Sequence, residues 1–511
     1  MSVADLLARD FATISDSIHL TATTRPDHLA LIQDEKAVTY AQLDALMDRI
    51  GASLQRDGLA SGDVIAACAS TSIEYAATFL GAVRIGVAVA PLAPSSTPES
   101  LAVMLADCGA RLVFLDAAVA RELEPVADQI KAPRIALDGS DTGKTFSSWL
   151  TAPGARPEPV EIDPAQPFNI IYSSGTTGAP KGIIQPHQMR WGHVRRATYG
   201  PDAVTLTSTP LYSNTTLVSF FPTLAQGGTD VLMAKFDVAR FLTLAETHRV
   251  THAMLVPVQY KRLMEHEGFG DHDLSSFVMK FCTSAPFAAE LKADILARWP
   301  GGLTEIFGMT EGGGTCLLAC HEHPTKLHTV GKPAEGHDIR LVGEDGHEVG
   351  PGEVGEIVGA SGNMMLAYHN QPAKTAEAEW FDATGKRFIR TGDVGRFDED
   401  GFLVLMDRKK DMIITGGFNV YPSDLEAVVV AHEAVEEVAV VGVASDRWGE
   451  TPVAFVSLKP GMSVDAGALR EWVNARLGKT QRLADLKILK ALPRSHIGKV
   501  MKRDLRDGYS G

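Results

Sequence analysis

Phe168-Asn169-Ile170-Ile171-Tyr172-Ser173-Ser174-Gly175-Thr176-Thr177-Gly178-Ala179-Pro180-Lys181-Gly182 sets an apolar strand directly before a loop dense in glycines and hydroxyls. Glycines let a backbone come close to a ligand, hydroxyls offer donors, and Lys181 adds positive charge, so the segment suits a polyphosphate. It is not a Walker loop, because Pro180 stands where that pattern needs the glycine before lysine.

Outward from this stretch, strands and helices alternate. Leu43, Leu46, Met47, Ile50 and Leu54 recur at the spacing of an amphipathic helix that begins at Tyr40. Val64–Ala67, Val87–Pro91 and Arg111–Leu115 read as strands and Ile73–Val83 as a helix, while Thr97-Pro98 opens another helix with an N-cap and a proline in the first turn. The rhythm returns at Phe168–Tyr172, Thr229–Met233, Thr251–Val256, Val278–Cys282 and Leu303–Ile306, which predicts parallel βαβ units. Between Val330 and Ala360, runs broken at Gly343, Asp345-Gly346, Gly350-Pro351-Gly352 and Gly355 signal hairpins. After Asp407 short strands (Met412–Ile414, Val438–Val443, Pro452–Leu458) mix with helices (Ser423–Ala431, Ala466–Leu477). The expected fold class is α/β: a large N-terminal domain (1–407) of layered α/β subdomains with a β-barrel-like subdomain at about 325–407, and a small mobile C-terminal α+β lid (408–511).

A chain of 511 residues exceeds one core at roughly 150 residues per domain. Its net charge of −15 and the absence of long basic runs argue against nucleic acid as the main partner. Five scattered cysteines make no disulfide framework and fit a reducing, cytoplasmic setting. The N-terminus lacks the basic start and apolar run of a secretory signal. The most apolar window, Ala76–Ala93, contains Arg84 and ends in prolines, so it reads as core, and no membrane span is expected. Oligomeric state stays open, a homodimer included.

Ser173–Gly182 resembles the signature of the adenylate-forming enzymes, the superfamily of acyl-CoA and aryl-CoA synthetases, luciferases and peptide-synthetase adenylation domains. The likeness continues through Thr283-Ser284-Ala285-Pro286, Ile306-Phe307-Gly308-Met309-Thr310-Glu311, Arg390-Thr391-Gly392-Asp393, Asp407-Arg408-Lys409-Lys410-Asp411, Gly416-Gly417-Phe418-Asn419-Val420-Tyr421-Pro422 and Pro493–Lys499, in family order. It implies ATP, Mg2+ and coenzyme A as cofactors or co-substrates and a small carboxylic acid as substrate.

The resemblance also implies roles. Glu311 would hold Mg2+, with Thr310 and the hydroxyls of Ser173, Ser174, Thr176 and Thr177 on phosphate oxygens, Gly175 in the same loop, and Lys181 steadying it. Asp393 has the two acceptor oxygens needed for the ribose hydroxyls. Phe307 would stack on adenine, opposite Ser284, Ala285 and Pro286, with Glu305 and Arg408 among the other nucleotide contacts. Lys499 would bridge the carboxylate and the α-phosphate during adenylation. Lys410 is the implied hinge. Rotation about it would bring Gly416 and Gly417 to the pantetheine arm, and Trp448 and Arg482 resemble coenzyme A contacts.

The match departs from the family at Pro210-Leu211-Tyr212, which continues with Ser213-Asn214 where many relatives place a histidine. Arg482-Leu483-Ala484 also lacks the common Lys-x-Pro. The implied acyl pocket draws on Tyr212, Ser213, Asn214, Val218, Thr283 and Gly308, with Val256–Gln259 and Gly312-Gly313-Gly314 beside it. No lysine or arginine falls among these to pair a second carboxylate, so an apolar fatty or aromatic acid is expected, with the three glycines opening room for it. Cys316, Cys320, His321 and His323 invite a zinc reading. No second half-site follows at finger spacing, so Cys316 is read as pocket wall. The expected activity is an AMP-forming acyl-CoA synthetase. The rivals are an acyl-AMP ligase loading a separate carrier protein, a non-catalytic nucleotide or acyl sensor, and a luciferase-like oxygenase.

Overall fold

The computed structural model describes residues 2–173, 180–408, 411–415, 418–445, 448–477, 481–494 and 500–509. They pack as two compact units, one of Met1–His328, Pro333–Asp338 and Gly359–Ile389, the other of Thr329–Lys332, Ile339–Val358 and Arg390–Gly511.

Two sheets build the first unit. One runs in the order Cys316–Ala319, Gly302–Phe307, Met279–Cys282, His252–Leu255, Val204–Thr207, Thr229–Leu232, Leu29–Gln33, Lys36–Thr39. The other runs Ala367–Tyr368, Lys181–Pro186, Pro167–Ser173, Ala88–Pro91, Val64–Cys68, Val113–Leu115, Arg134–Ala136, Lys144–Thr145. The strands expected to be parallel are so. Val64–Cys68 pairs parallel with Ala88–Pro91 and Val113–Leu115, and Met279–Cys282 with His252–Leu255 and Gly302–Phe307. Antiparallel strands sit at the margins, where Cys316–Ala319 runs against Gly302–Phe307 and Lys181–Pro186 against Pro167–Ser173.

Helices Ile14–Thr24, Tyr40–Arg56, Ile73–Arg84 and Asn214–Ala225 share one apolar core with the sheets. The first three start where their sequence can satisfy the free N–H groups: Thr13 and Thr39 close capping boxes with Asp16 and Gln42, and Ser72 accepts from Tyr75. The rings of Phe79, Phe168 and Phe221 meet in that core at 5.1 to 5.8 Å between centroids. The apolar window around Ile73–Arg84 is buried there, and among the described residues no helix is long and apolar enough to cross a membrane.

A third sheet, most of whose residues belong to the second unit, is ordered Asp338–Val342, Gly355–Ala360, Arg387–Phe397, Glu379–Phe381, with Leu403–Arg408 antiparallel to Arg387–Phe397. A further sheet orders Phe418–Val420, Ile413–Thr415, Gly449–Leu458 and Val435–Ser445, with Asp485–Ile488 parallel to Gly449–Leu458. Helices Pro422–Val430 and Ala466–Asn474 cover it through Leu425, Val429, Leu469 and Val473. The large N-terminal and small C-terminal α/β plan expected from the sequence is the plan observed.

Candidate active site

In a parallel sheet every strand delivers the chain to the same edge, and loops leaving the carboxyl ends form the natural ligand crevice. Cys282 and Glu305 are register partners on neighbouring parallel strands, so Thr283-Ser284-Ala285-Pro286 and Ile306–Glu311 leave side by side. Val204–Thr207 and His252–Leu255 belong to the same parallel set. Tyr212, Ser213 and Asn214 follow the first of these and Val256–Gln259 the second, so segments far apart in sequence converge on one edge.

At this edge Ser284 is a non-glycine residue at a φ of 81°, a conformation rare for side chains with a Cβ and costing on the order of 1–2 kcal/mol. Its hydroxyl meets Thr215 Oγ1 at 2.5 Å, on the helix Asn214–Ala225. That helix carries Val218 and contains Pro222, which has no N–H to donate to the Val218 carbonyl. Tyr212 is half-buried, and burial raises its phenol above the ordinary value while a hydrogen bond from Ser95 opposes the rise. Phe307 is half-buried at the end of its strand, and Gly308 after it is exposed.

Glu311 is the focus of the second group. Tyr368 Oη donates to Glu311 Oε1 at 2.7 Å, and Lys181 Nζ lies 5.1 Å from the centroid of the Tyr368 ring. Burial, with the adjacent carboxylate, holds the phenol protonated far above its ordinary value, so it stays a donor. Met365 N–H donates to the Glu311 carbonyl at 2.8 Å, and Gln185 Nε2 donates to the Thr310 carbonyl at 2.6 Å. Both carbonyls of the Thr310-Glu311 pair are therefore pinned, one by the neighbouring sheet and one by the segment that leads into its strand Ala367–Tyr368. Ser173 and Lys181 are cross-strand partners at the mouth of the glycine-rich segment. Ser174, Gly175, Thr176 and Thr177 lie outside the described residues.

Two sequence expectations meet a different geometry. Glu305 is buried with its carboxylate paired to Lys292, and burial lifts it to about 7, so that carboxylate faces the protein interior. Gly312 and Gly313 do not open a pocket. A Cβ at Gly312, whose φ is 90°, would stand 2.1 Å from the Asn363 carbonyl, and one at Gly313 2.7 Å from Ile389 Cβ, so both glycines serve close backbone packing. Cys316 is buried on its strand, and among the described residues no group of three His, Cys, Asp or Glu side chains is placed to hold a metal. Mg2+ asks less, usually one or two carboxylates with substrate phosphates and water, and half-buried Glu311 meets that donor chemistry.

In the second unit Asp393 is the register partner of Arg408, and its N–H donates to Thr391 Oγ1 at 3.0 Å, across Gly392, whose φ is 72° within the strand Arg387–Phe397. Trp448 is 47% exposed at the turn before Gly449–Leu458. The parallel pairing of Val453 with Asp485 puts Arg482 at the same end of that sheet. Lys410, Gly416, Gly417 and Lys499 fall outside the described residues.

Residues 18–369 match the model of the AMP-binding enzyme, and 424–499 that of the AMP-binding enzyme C-terminal domain. The chain belongs to the AMP-binding enzyme family. Within this family it is 32% identical over 512 residues to an indoleacetate–CoA ligase of Aromatoleum aromaticum, covering 96% of this chain and 97% of that one. It is 29% identical to the fatty acid–[acyl-carrier-protein] ligase ScoC of Streptomyces coeruleorubidus, over 98% and 97% of the two chains. The crystal structure of ATP-bound MatB from Rhodopseudomonas palustris superposes with a TM-score of 0.86 at 28% identity, covering 98% of this chain and 99% of that one.

Tyr368, Gln185 and Arg190 were not among the expected site residues. Asn169 and Gln185 are register partners across the strand pair that flanks the glycine-rich segment. Two polar residues facing each other in a buried sheet are a signal visible only once strand pairing is known.

Proposed function

We propose that this chain is an AMP-forming ligase that joins an apolar carboxylic acid, fatty or aromatic, to coenzyme A at the expense of ATP. The observation that carries the reading is the pinned Thr310-Glu311 pair at the sheet edge, with Tyr368 and Lys181 behind it and the Tyr212–Asn214 and Thr283–Pro286 segments beside it. A carboxylate oxygen attacks the α-phosphorus of ATP, and the bond from that phosphorus to the bridging oxygen breaks, releasing pyrophosphate. The coenzyme A thiol then attacks the acyl carbon, AMP leaves, and the thiol proton passes to solvent.

The first step brings two anions together, so positive charge and fixed geometry at the phosphates set the rate. Glu311 would hold Mg2+, which when bound supplies positive charge to the triphosphate oxygens. Thr310 would contact phosphate, Asp393 the ribose and Phe307 the adenine. Lys499 would bridge the two anions, with Lys410 the hinge of a lid at 408–511 and Gly416, Gly417, Trp448 and Arg482 toward coenzyme A. A dicarboxylic acid is disfavoured because the acyl segments carry no lysine or arginine.

AMP release from ATP and Mg2+ over a panel of arylacetic, cinnamic and fatty acids, with and without coenzyme A, tests this when the acyl product is identified by mass. Acyl-CoA is the expected product. The similarity to a carrier-protein ligase favours one second reading, acyl transfer to a separate carrier, in which adenylate forms and free coenzyme A is not consumed. AMP release with no acid in the panel overturns both.

A further inference from the structure

Behind the Thr310-Glu311 pair lies a polar cluster that the reaction scheme above does not use. Asn169 and Gln185 are fully buried register partners, and Arg190 is 1% exposed. A guanidinium removed from water must find hydrogen-bond acceptors or it destabilises the fold. Arg190 Nε donates to Asn169 Oδ1 at 2.9 Å, and its NH2 donates to Gln185 Oε1. Its planar face lies 6.0 and 5.8 Å from the ring centroids of Phe168 and Phe221. Asn169 Nδ2 adds a second hydrogen bond to Gln185 Oε1 at 2.8 Å.

With two donors on its oxygen, the Gln185 amide has one orientation, and Nε2 must face acceptors. It faces two. Nε2 donates to the Thr310 carbonyl at 2.6 Å and lies 3.4 Å from Asn214 Oδ1, the first residue of the helix Asn214–Ala225. One amide thus spans the segment proposed for phosphate and Mg2+ and the segment proposed for the acid.

We propose that Gln185, locked by Arg190 and Asn169, is a positioning residue that couples the nucleotide side of the site to the acyl side. This rests on the ligase reading above. Gln185 touches neither substrate, so its effect passes through Thr310 and Asn214. A shift of the acyl helix alters the hydrogen bond that holds the Thr310 peptide, and occupation of one side prepares the other.

Gln185→Glu tests it, because the glutamate keeps the acceptor used by Arg190 and Asn169 and replaces the donor facing Thr310 with an oxygen. The variant is expected to keep its thermal midpoint close to that of the unaltered protein while needing roughly tenfold more Mg-ATP for half-saturation. Asn214→Ala is expected to shift Mg-ATP half-saturation several-fold in the same direction, although it belongs to the acyl segment. The double variant should then lose less than the product of the single losses. Unchanged Mg-ATP saturation in Gln185→Glu overturns the proposal, as do fully multiplicative effects. A parallel fall of midpoint and rate with no change in saturation also overturns it, by assigning Gln185 to folding alone. If Gln185→Glu is recovered poorly, Asn214→Ala decides, since an unaltered Mg-ATP saturation there removes the coupling. Calorimetric binding of Mg-ATP to the same proteins, without any acid, separates the two readings. An unaltered protein that binds Mg-ATP yet releases no AMP fails as a ligase but still reports on the Gln185 cluster.

Discussion

Tyr368 serves two neighbours at once, presenting its ring face to Lys181 and its hydroxyl to Glu311. Because Lys181 and Tyr368 lie on neighbouring strands, the tyrosine ties the mouth of the glycine-rich segment to the carboxylate proposed for Mg2+. Tyr368→Phe retains the ring and removes the hydrogen bond. It is expected to raise the Mg2+ concentration for half-maximal adenylation about fivefold while costing about 1 kcal/mol of stability, read by magnesium titration and thermal unfolding. Thr310 and Glu311 stand out in the sequence as candidates because their motif is contiguous. Tyr368 does not, since it lies fifty-seven positions from Glu311 and only the folded chain reunites them.

The loop that carries Thr310 and Glu311 is anchored at both ends by elements of different kinds. Upstream it continues the strand Gly302–Phe307, and downstream it is clamped where Gly312 and Gly313 pack on Asn363 and Ile389. Gly312→Ala is expected to cost roughly 2–4 kcal/mol, lowering the thermal midpoint by several degrees and reducing adenylation, because a positive φ and a backbone collision act together. Element positions were well read where periodicity is strong. The helix expected from Tyr40 spans Tyr40–Arg56, and the proline-led helix spans Pro98–Asp107 with Thr97 as its cap. Gly312 and Gly313 were misread as room because a missing side chain looks the same in sequence whether it faces a ligand or a neighbouring backbone. Glu305 misled for a related reason: alternation along its strand turns it toward Lys292 rather than the crevice.

At the scale of the whole molecule, one buried acid sets a test of the core. Asp230 is fully buried, and burial raises its carboxyl far above the ordinary value against a 3.1 Å hydrogen bond from Thr207. An acid protonated in the fold and ionised in the unfolded chain contributes stability that is lost as pH rises from about 4 toward its folded value. Asp230→Asn removes that loss, so the variant's thermal midpoint should gain on the unaltered protein between pH 4 and pH 8 and converge with it at the acid end. Domain alternation is tested by Lys499→Ala, expected to lower adenylate formation at least a hundredfold while thioester formation from supplied acyl-adenylate is retained; equal loss of both half-reactions refutes it. The layered plan was readable from strand and helix rhythm. The way the chain distributes itself between the two units was not, since it passes between them at His328/Thr329, Lys332/Pro333, Asp338/Ile339, Val358/Gly359 and Ile389/Arg390. That distribution governs how pieces of this enzyme can be exchanged with those of relatives. A graft joined at residue 390 would divide the strand Arg387–Phe397 and pair a donor segment with a recipient's Gly355–Ala360, whereas one joined after Arg408 carries no half-strand and leaves each sheet with partners that evolved together.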